Sequence, residues 1–200
     1  MRITLCQLTS TILTKALARF PLMGFDPNSY TATIYDSGTE HFTGTTLQGI
    51  GQAVVGVFQR LDETRNRFVR VLSIKTCQNE LLGAFQNVTG GTGTQDNNNN
   101  NNTSSPRKQQ WEVQKATIAE LLRGAREKHH QGKPGWILPL VVSQLFEEGQ
   151  ARSLVAPSRE QSDSELLGVK AESARDVAEK VVIAVAAAAA AAAQNTAVGL

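Results

Sequence analysis

The sequence is poor in the residues that would mark several common functions. Only 6% of its 200 residues are aromatic, and 40% are hydrophobic, a share that includes an alanine run near the C-terminus. Its 20 basic residues nearly balance its 18 acidic residues, which leaves a net charge of +2. This balance provides no general attraction to nucleic acid or to an anionic membrane surface. We therefore expect no nucleic-acid partner, and a core that is built from particular segments only.

Cysteine and long apolar runs are also scarce. Two cysteines, Cys6 and Cys77, are too few for a disulfide framework, which favours a reducing compartment such as the cytoplasm. Residues 1–18 end in the small-x-small pattern of a signal peptide, but polar residues interrupt the stretch that should be apolar. The longest apolar run, residues 181–193, is shorter than the ~20 residues that span a bilayer. We expect a cytoplasmic protein without a membrane span.

Motifs for nucleotide binding and dehydrogenase catalysis are missing. No G-x-G-x-x-G follows a predicted strand, and the glycine-rich residues 90–93 follow a predicted helix instead. The positions four residues after Tyr30 and Tyr35 hold Ile34 and Thr39, so the sequence has no Tyr-x-x-x-Lys pair. The glycines at 49, 51 and 56 lie within a predicted helix, where they favour close helix packing over phosphate binding.

The histidines do not form a recognisable metal motif. His129 and His130 are adjacent near a predicted helix end, where a favourable interaction of cations with the helix dipole accounts for them. His41 is predicted in a loop, with no partner that sequence spacing can identify. Because no histidine pair at i, i+4 accompanies a carboxylate or thiolate, we predict no metal site.

The hydrophobic pattern predicts an alternation of helices and strands. Strands are predicted at 31–35, at 67–73 and from Trp111 onward, and helices at about 8–20, 45–61, 77–90, 117–132 and 134–149. Capping boxes at Thr45–Gln48 and Thr117–Glu120 open two of the helices. The first of these two places apolar residues at helical spacing, namely Ile50, Val54, Val57, Phe58 and Leu61. The expected class is α/β, with too few strands for a complete doubly wound sheet.

Two segments differ in composition from the rest. Residues 91–108, with their polyasparagine run, have no apolar residue whose burial could offset the entropy of ordering, so we predict a disordered insert. Residues 183–200 form an alanine-rich tail, for which we predict a helix that frays at its far end.

Several segments, in one order, resemble fungal NmrA-like, isoflavone-reductase-like proteins, which are similar to atypical short-chain dehydrogenases. The matching stretches lie within residues 8–182 and include MGFDPNSYTATIYDSG, FTGTTLQGIGQAVVGVF, NRFVRVLSIKTCQNELLGAFQNVTG, WEVQKATIAELLRGAREKHHQGKPG and SELLGVKAESARDVAEKVV. The resemblance implies a protein whose N-terminal Rossmann domain holds NAD or NADP and whose C-terminal part shapes a pocket for a small aromatic substrate.

The resemblance also implies that this chain is the C-terminal, substrate-side part alone. The glycine motif and the segment with the catalytic lysine of such proteins are absent, so no residue carries over as catalytic or cofactor-binding, and we expect no cofactor to bind this chain alone. The candidates for the substrate pocket are Leu13, Leu17 and Phe146. Where the family has Ser-Gln-Asn-Glu, this chain has Cys77–Glu80, and a thiol is a poor helix cap.

Two hypotheses follow for the function. The first is an incomplete, Rossmann-type NAD(P)-dependent oxidoreductase that is inactive alone and only marginally stable, because the strand predicted at 67–73 would lose the sheet that covers it. The second is a non-catalytic redox-sensing regulator or protein-interaction module, which would pair with another chain through exposed sheet edges.

Overall fold

The computed structural model describes residues 23–90 and 110–198, and their side chains as far as residue 190. Within these residues, the strands are β1 (Phe25–Asp26), β2 (Thr31–Tyr35), β3 (Phe42–Gly44), β4 (Ile74–Thr76) and β5 (Glu112–Ala116). The helices are α1 (Leu47–Gln59), α2 (Leu61–Thr64), α3 (Gln78–Val88), α4 (Ile118–His130), α5 (Ile137–Phe146) and α6 (Ala174–Val198). The predicted α/β class is confirmed at this level. The helix predicted at 8–20 and the insert predicted at 91–108 lie outside the described residues.

The strands form two small sheets. In the first, β2 pairs antiparallel with β1 and parallel with β5, with Thr31 opposite Glu112. In the second, β3 pairs antiparallel with β4. The strands predicted at 31–35 and after Trp111 are thus confirmed, and in the part of the chain that the structure describes they belong to a three-stranded sheet. Four of the five residues of β5 are exposed, and β5 stands at one edge of the sheet that the described residues form.

The main core lies between the first sheet and helices α3 and α6. Leu81, Leu82, Phe85 and Val88 of α3 recur at the spacing that predicts one apolar helix face. Leu81 and Phe85 are fully buried, and Leu82 and Val88 pack beside them. The ring of Phe85 lies 5.3 Å from the rings of both Phe25 and Trp111. Burial of such a large apolar side chain contributes about 1.5–3 kcal/mol, so this aromatic group is a principal source of stability.

The prediction of a strand at 67–73 is wrong. Two backbone N–H groups of this stretch bond to a loop: Arg70 N–H donates to Asp163 Oδ2 at 2.9 Å, and Leu72 N–H donates to Ser164 Oγ at 2.9 Å. Within this described stretch, only Ser73, next to β4, donates its N–H to a strand residue, at the carbonyl of Gly44. Residues 68–72 have no regular secondary structure, and the strand begins only at Ile74. Phe68 is 72% exposed, whereas Val69 and Leu72 are buried, which agrees with the expectation that this segment loses part of its apolar cover in this chain.

Helix α1 starts one residue later than predicted. Thr46 is the N-cap, with its side-chain oxygen accepting from Gly49 N–H. Thr45, the cap that the sequence indicated, instead donates its hydroxyl to the carbonyl of Val71 at 3.0 Å. The chain therefore uses the second of two adjacent threonines because the first is committed to a contact that is distant in sequence.

The C-terminal helices follow the sequence signals more closely. Thr117 caps α4 by accepting from Glu120 N–H, as predicted. Helix α5 begins at Ile137 and not at Pro134, because Gly135 has a φ of +88° that a right-handed helix cannot contain. Helix α6 runs without a break through the boundary predicted at residue 183. None of the described helices is both long enough and apolar enough to cross a membrane.

Candidate functional site

Of the three predicted pocket residues, only Phe146 is described by the structure, because Leu13 and Leu17 lie outside the described residues. Phe146 is 1% exposed and stacks on Tyr35, with 5.8 Å between ring centroids and 13° between the ring planes. The ring of Phe42 meets it edge-on at 5.6 Å. Burial raises the pKa of Tyr35 above its ordinary value. In the described part of the chain, Phe146 is thus a member of the core.

A polar cleft lies between the N-terminus of helix α1 and the N-terminus of helix α6. Its volume is about 240 Å³, and its lining residues are Thr46, Gln48, Gly49, Gln52, Lys170, Ala171, Glu172, Asp176 and Lys180. Two capped helix starts meet here, because Thr46 caps α1 and the Ser173 hydroxyl accepts from Asp176 N–H at 3.2 Å. The cleft therefore combines a carboxylate, ammonium groups and amides around a space large enough for a small polar molecule.

Glu172 is the most unusual side chain of this polar cleft. Its side chain is only 10% exposed and forms an ion pair with Lys180. Burial by itself would raise the pKa of Glu172, but the Lys180 ammonium and the nearby hydroxyls of Thr46 and Ser73 outweigh it, and the pKa lies below the ordinary value. Its Oε2 atom is buried without a hydrogen-bond partner of acceptable geometry among the described residues. A buried acceptor of this kind favours binding of a hydrogen-bond donor, such as a hydroxyl or an amine.

The glycines of α1 confirm close packing at two of their three positions. A Cβ on Gly56 would lie 2.4 Å from the carbonyl oxygen of Leu167, and one on Gly49 would lie 3.0 Å from the Thr45 side chain. Gly51 faces open space. The small residues of this helix thus bring its backbone against the 163–169 segment, which forms a second, smaller core with Ala53 and Val57.

Most of the predicted apolar face of α1 is exposed to solvent. Among the residues predicted at helical spacing, Val57 is buried, but Val54, Phe58 and Leu61 are 39%, 64% and 44% exposed. The buried face is formed instead by Gly49, Ala53, Gly56 and Val57. We call the exposed residues of this region the apolar stripe; they are Leu47, Val54, Val55, Phe58 and Leu61. Where exposed apolar side chains of this kind join in one patch, they typically mark an interaction surface.

The histidines fall in two places. His129 and His130 lie in the last turn of α4, as predicted, and the ring of His129 packs 4.6 Å from that of Trp136. His41 lies beside two other donor groups, Cys77 and Glu80, which sequence spacing alone did not connect. Neither this group nor Glu172 could be identified from the sequence, because both depend on contacts between distant segments.

Two curated relatives match most of this chain. Both are named oxidoreductase poxI and come from Penicillium oxalicum, one of them from strain 114-2. Each is 54% identical to this chain over 167 residues, which covers 84% of the chain but 48% of the relative. The chain thus spans about half the length of the curated relatives that it matches. No protein-family profile matches it. No solved structure matches it either.

Proposed function

We propose that this chain is the C-terminal, substrate-side part of an NAD(P)-dependent oxidoreductase of the NmrA-like, isoflavone-reductase-like kind. The observation that carries the proposal is the 54% identity to a protein named oxidoreductase over 84% of the chain. The 48% coverage of that relative leaves room for a separate nucleotide-binding half. The absence of a glycine motif after any predicted strand agrees with this division. Alone, the chain is inactive, and its setting is cytoplasmic.

The surface of the chain has features that favour contact with a nucleotide-binding half. The apolar stripe exposes large side chains of α1 and of the first residue of α2, with Phe58 64% exposed. Among the described residues, strand β5 stands at one edge of a sheet that already contains a parallel pair. A Rossmann half that covers the stripe would remove apolar surface from water at about 25 cal/mol per Å². Part of the stabilisation of the complete protein would then come from this contact.

Within the described residues, the polar cleft is the place that we propose for a substrate or for part of the cofactor. The buried Oε2 atom of Glu172 has no hydrogen-bond partner of acceptable geometry among the described residues, and Lys180 supplies positive charge beside it. A hydroxyl-bearing ligand would donate to this oxygen. The pocket for a small aromatic substrate, with Leu13, Leu17 and Phe146, stays a prediction for the complete protein.

A second candidate function is a non-catalytic redox-sensing regulator or protein-interaction module. The observation that favours it is again the apolar stripe together with the edge strand β5, because both fit a protein partner as well as a nucleotide-binding half. In this case the partner would be a separate protein and not a nucleotide-binding half.

Calorimetry with NADPH and NADP⁺ on the purified chain tests the first proposal. We expect no heat of binding at micromolar concentrations, since the residues that cradle a pyrophosphate are not in this sequence. Micromolar binding by the chain alone would contradict the proposed division of labour. A pull-down that recovers one stoichiometric partner protein, without any nucleotide effect, would favour the regulator instead.

A further inference from the structure

Three donor side chains with different chemistry meet where the second sheet joins α3. They are the imidazole of His41, the thiol of Cys77 and the carboxylate of Glu80, and their ligand atoms all lie within 4.8 Å of one another. Cys77 is buried, whereas His41 and Glu80 are exposed. The group has one covered side and one side open to solvent, and it shares no residue with the polar cleft.

The antiparallel register of the second sheet brings two of these residues together. Phe42 pairs with Thr76, so the residue before Phe42 and the residue after Thr76 are neighbours across the sheet. Those residues are His41 and Cys77. Cys77 is also the N-cap of α3, and Glu80 stands three positions later, where a helix side chain folds back over the cap. Strand pairing and helix geometry therefore determine the cluster, although 36 residues separate His41 from Cys77 in the sequence.

Hydrogen bonds from residues outside the cluster fix the chain next to His41 and the carboxylate of Glu80. Glu40, next to His41, accepts hydrogen bonds from Gly149 N–H at 2.8 Å and from Ala151 N–H at 2.6 Å. The Thr76 hydroxyl donates to one oxygen of Glu80 at 2.8 Å, which orients the carboxylate and leaves its other oxygen to act as a ligand. Partners of this kind, outside the ligands themselves, set the orientation of ligands in metal sites.

The thiol of Cys77 is not used by the helix that it starts. It makes no side-chain cap hydrogen bond, unlike Thr46 and Thr117 at the starts of α1 and α4. A serine here would cap the helix better. The thiol is therefore free for another role, and its sulfur, the imidazole nitrogen and the carboxylate oxygen are all ligands that zinc accepts.

We propose that His41, Cys77 and Glu80 form a binding site for a thiophilic divalent cation, with Zn²⁺ as the ion that the donor set fits best. Tetrahedral zinc with sulfur at ~2.3 Å and nitrogen at ~2.0 Å places these two atoms roughly 3.5 Å apart. Because the ligand atoms lie within 4.8 Å of one another, side-chain rotations that bring the sulfur and the nitrogen closer by at most about 1.3 Å reach that value. Two anionic ligands neutralise the charge of the ion, and the sulfur discriminates against Mg²⁺ and Ca²⁺. Three protein ligands leave a fourth position for water.

Binding of zinc and cobalt to the full, reduced chain after chelator treatment tests the site. Titration calorimetry should show one zinc per chain, and Co²⁺ should give the thiolate-to-cobalt charge-transfer band and the strong visible bands of four-coordinate cobalt. Cys77→Ser should abolish the charge-transfer band. It should also weaken zinc binding by at least about tenfold, since mutation of residues that only hydrogen-bond to a metal ligand already lowers metal affinity by about that factor. His41→Gln and Glu80→Gln should weaken zinc binding similarly.

The controls separate this site from misfolding and from adventitious binding. In the absence of metal, Cys77→Ser should melt no lower than the parent chain, because serine is a preferred N-cap. Two matched variants, Cys6→Ser and the double variant His129→Gln, His130→Gln, should retain both zinc affinity and the cobalt spectrum. No binding by the parent chain, unchanged binding by Cys77→Ser, or loss of binding in the histidine-pair variant would each overturn the proposal.

Discussion

Replacing Gly56 by alanine should destabilise the protein, although alanine is the better helix former. Gly56 lies inside α1, and a Cβ there would lie 2.4, 2.7 and 2.8 Å from backbone atoms of Leu167. Backbone atoms cannot rotate away as a side chain can, so the helix or the 163–169 segment must move. Gly51, in the same helix, is the matched control, because a Cβ added there would meet nothing within 4 Å.

The two substitutions share the gain of about 1 kcal/mol in helix propensity, so their difference isolates the packing cost. Overpacking of this kind costs about 1–3 kcal/mol. We expect Gly51→Ala to raise the free energy of unfolding. The free energy of unfolding of Gly56→Ala should lie about 1–3 kcal/mol below that of Gly51→Ala. Urea unfolding followed by circular dichroism measures both, with unchanged m-values as the check that the unfolding transition is the same. If the two variants agreed within about 0.5 kcal/mol, the normal scatter of surface substitutions, the close contact of α1 with Leu167 would be refuted.

Three further predictions concern the core, the polar cleft and the insert. Phe85→Ala should lower the free energy of unfolding by about 3–5 kcal/mol. Phe58→Glu should leave the free energy of unfolding within about 0.5 kcal/mol of that of the parent chain and should improve solubility. Equal effects of the two variants in denaturation would contradict the burial pattern. Because the folded state lowers the pKa of Glu172, the ionised group stabilises the fold above the ordinary glutamate value, and this contribution disappears as pH falls through the lowered pKa. Glu172→Gln should therefore flatten the acid side of a plot of thermal midpoint against pH, and an unchanged plot would count against the ion pair with Lys180. Deleting residues 91–108 should leave the thermal midpoint nearly unchanged, because lengthening a loop costs little entropy; a large fall would show that the segment packs.

Local signals in the sequence predicted the parts of the fold that depend on local physics. The apolar spacing of α3 identified the buried Leu81 and Phe85, and Thr117 was recognised as the cap of α4. The residues Asp36-Ser37-Gly38 after β2 are a turn signal in the sequence, and Gly38 adopts a φ of +71° while its N–H donates to the carbonyl of Tyr35 at 2.9 Å. In each case the residues that make the interaction lie within a few positions of one another.

Predictions that needed knowledge of distant partners were wrong or could not be made. The stretch 67–73 has the composition of a strand, but Asp163 and Ser164, about 90 positions away, take its hydrogen bonds. Helix α1 buries its small residues because the segment at Leu167 comes so close that only glycine fits. Hydrophobicity alone assigned the opposite face, since it measures the preference of a side chain and not the space that is available.

Gln78 shows the same limit for a polar residue. It is fully buried, and its amide donates to the carbonyls of Met23 and Thr33 at 2.9 and 3.1 Å and accepts from Tyr35 N–H at 2.9 Å. The side chain thus connects the start of α3 to β2. Nothing in the sequence around Gln78 distinguishes it from an exposed residue, and the same holds for the approach of His41 to Cys77.

Reconstitution with the proposed nucleotide-binding half tests the central claim most directly. The chain would be co-expressed with the part of the Penicillium oxalicum relative that lies outside the matched 48%, and NADPH binding by the purified material would be measured by calorimetry. We predict a one-to-one complex that binds NADPH, melts above either part alone, and is weakened by Phe58→Glu in the apolar stripe. Two parts that stay separate, or a complex whose NADPH binding and stability are no greater than those of the nucleotide-binding half alone, would contradict the account.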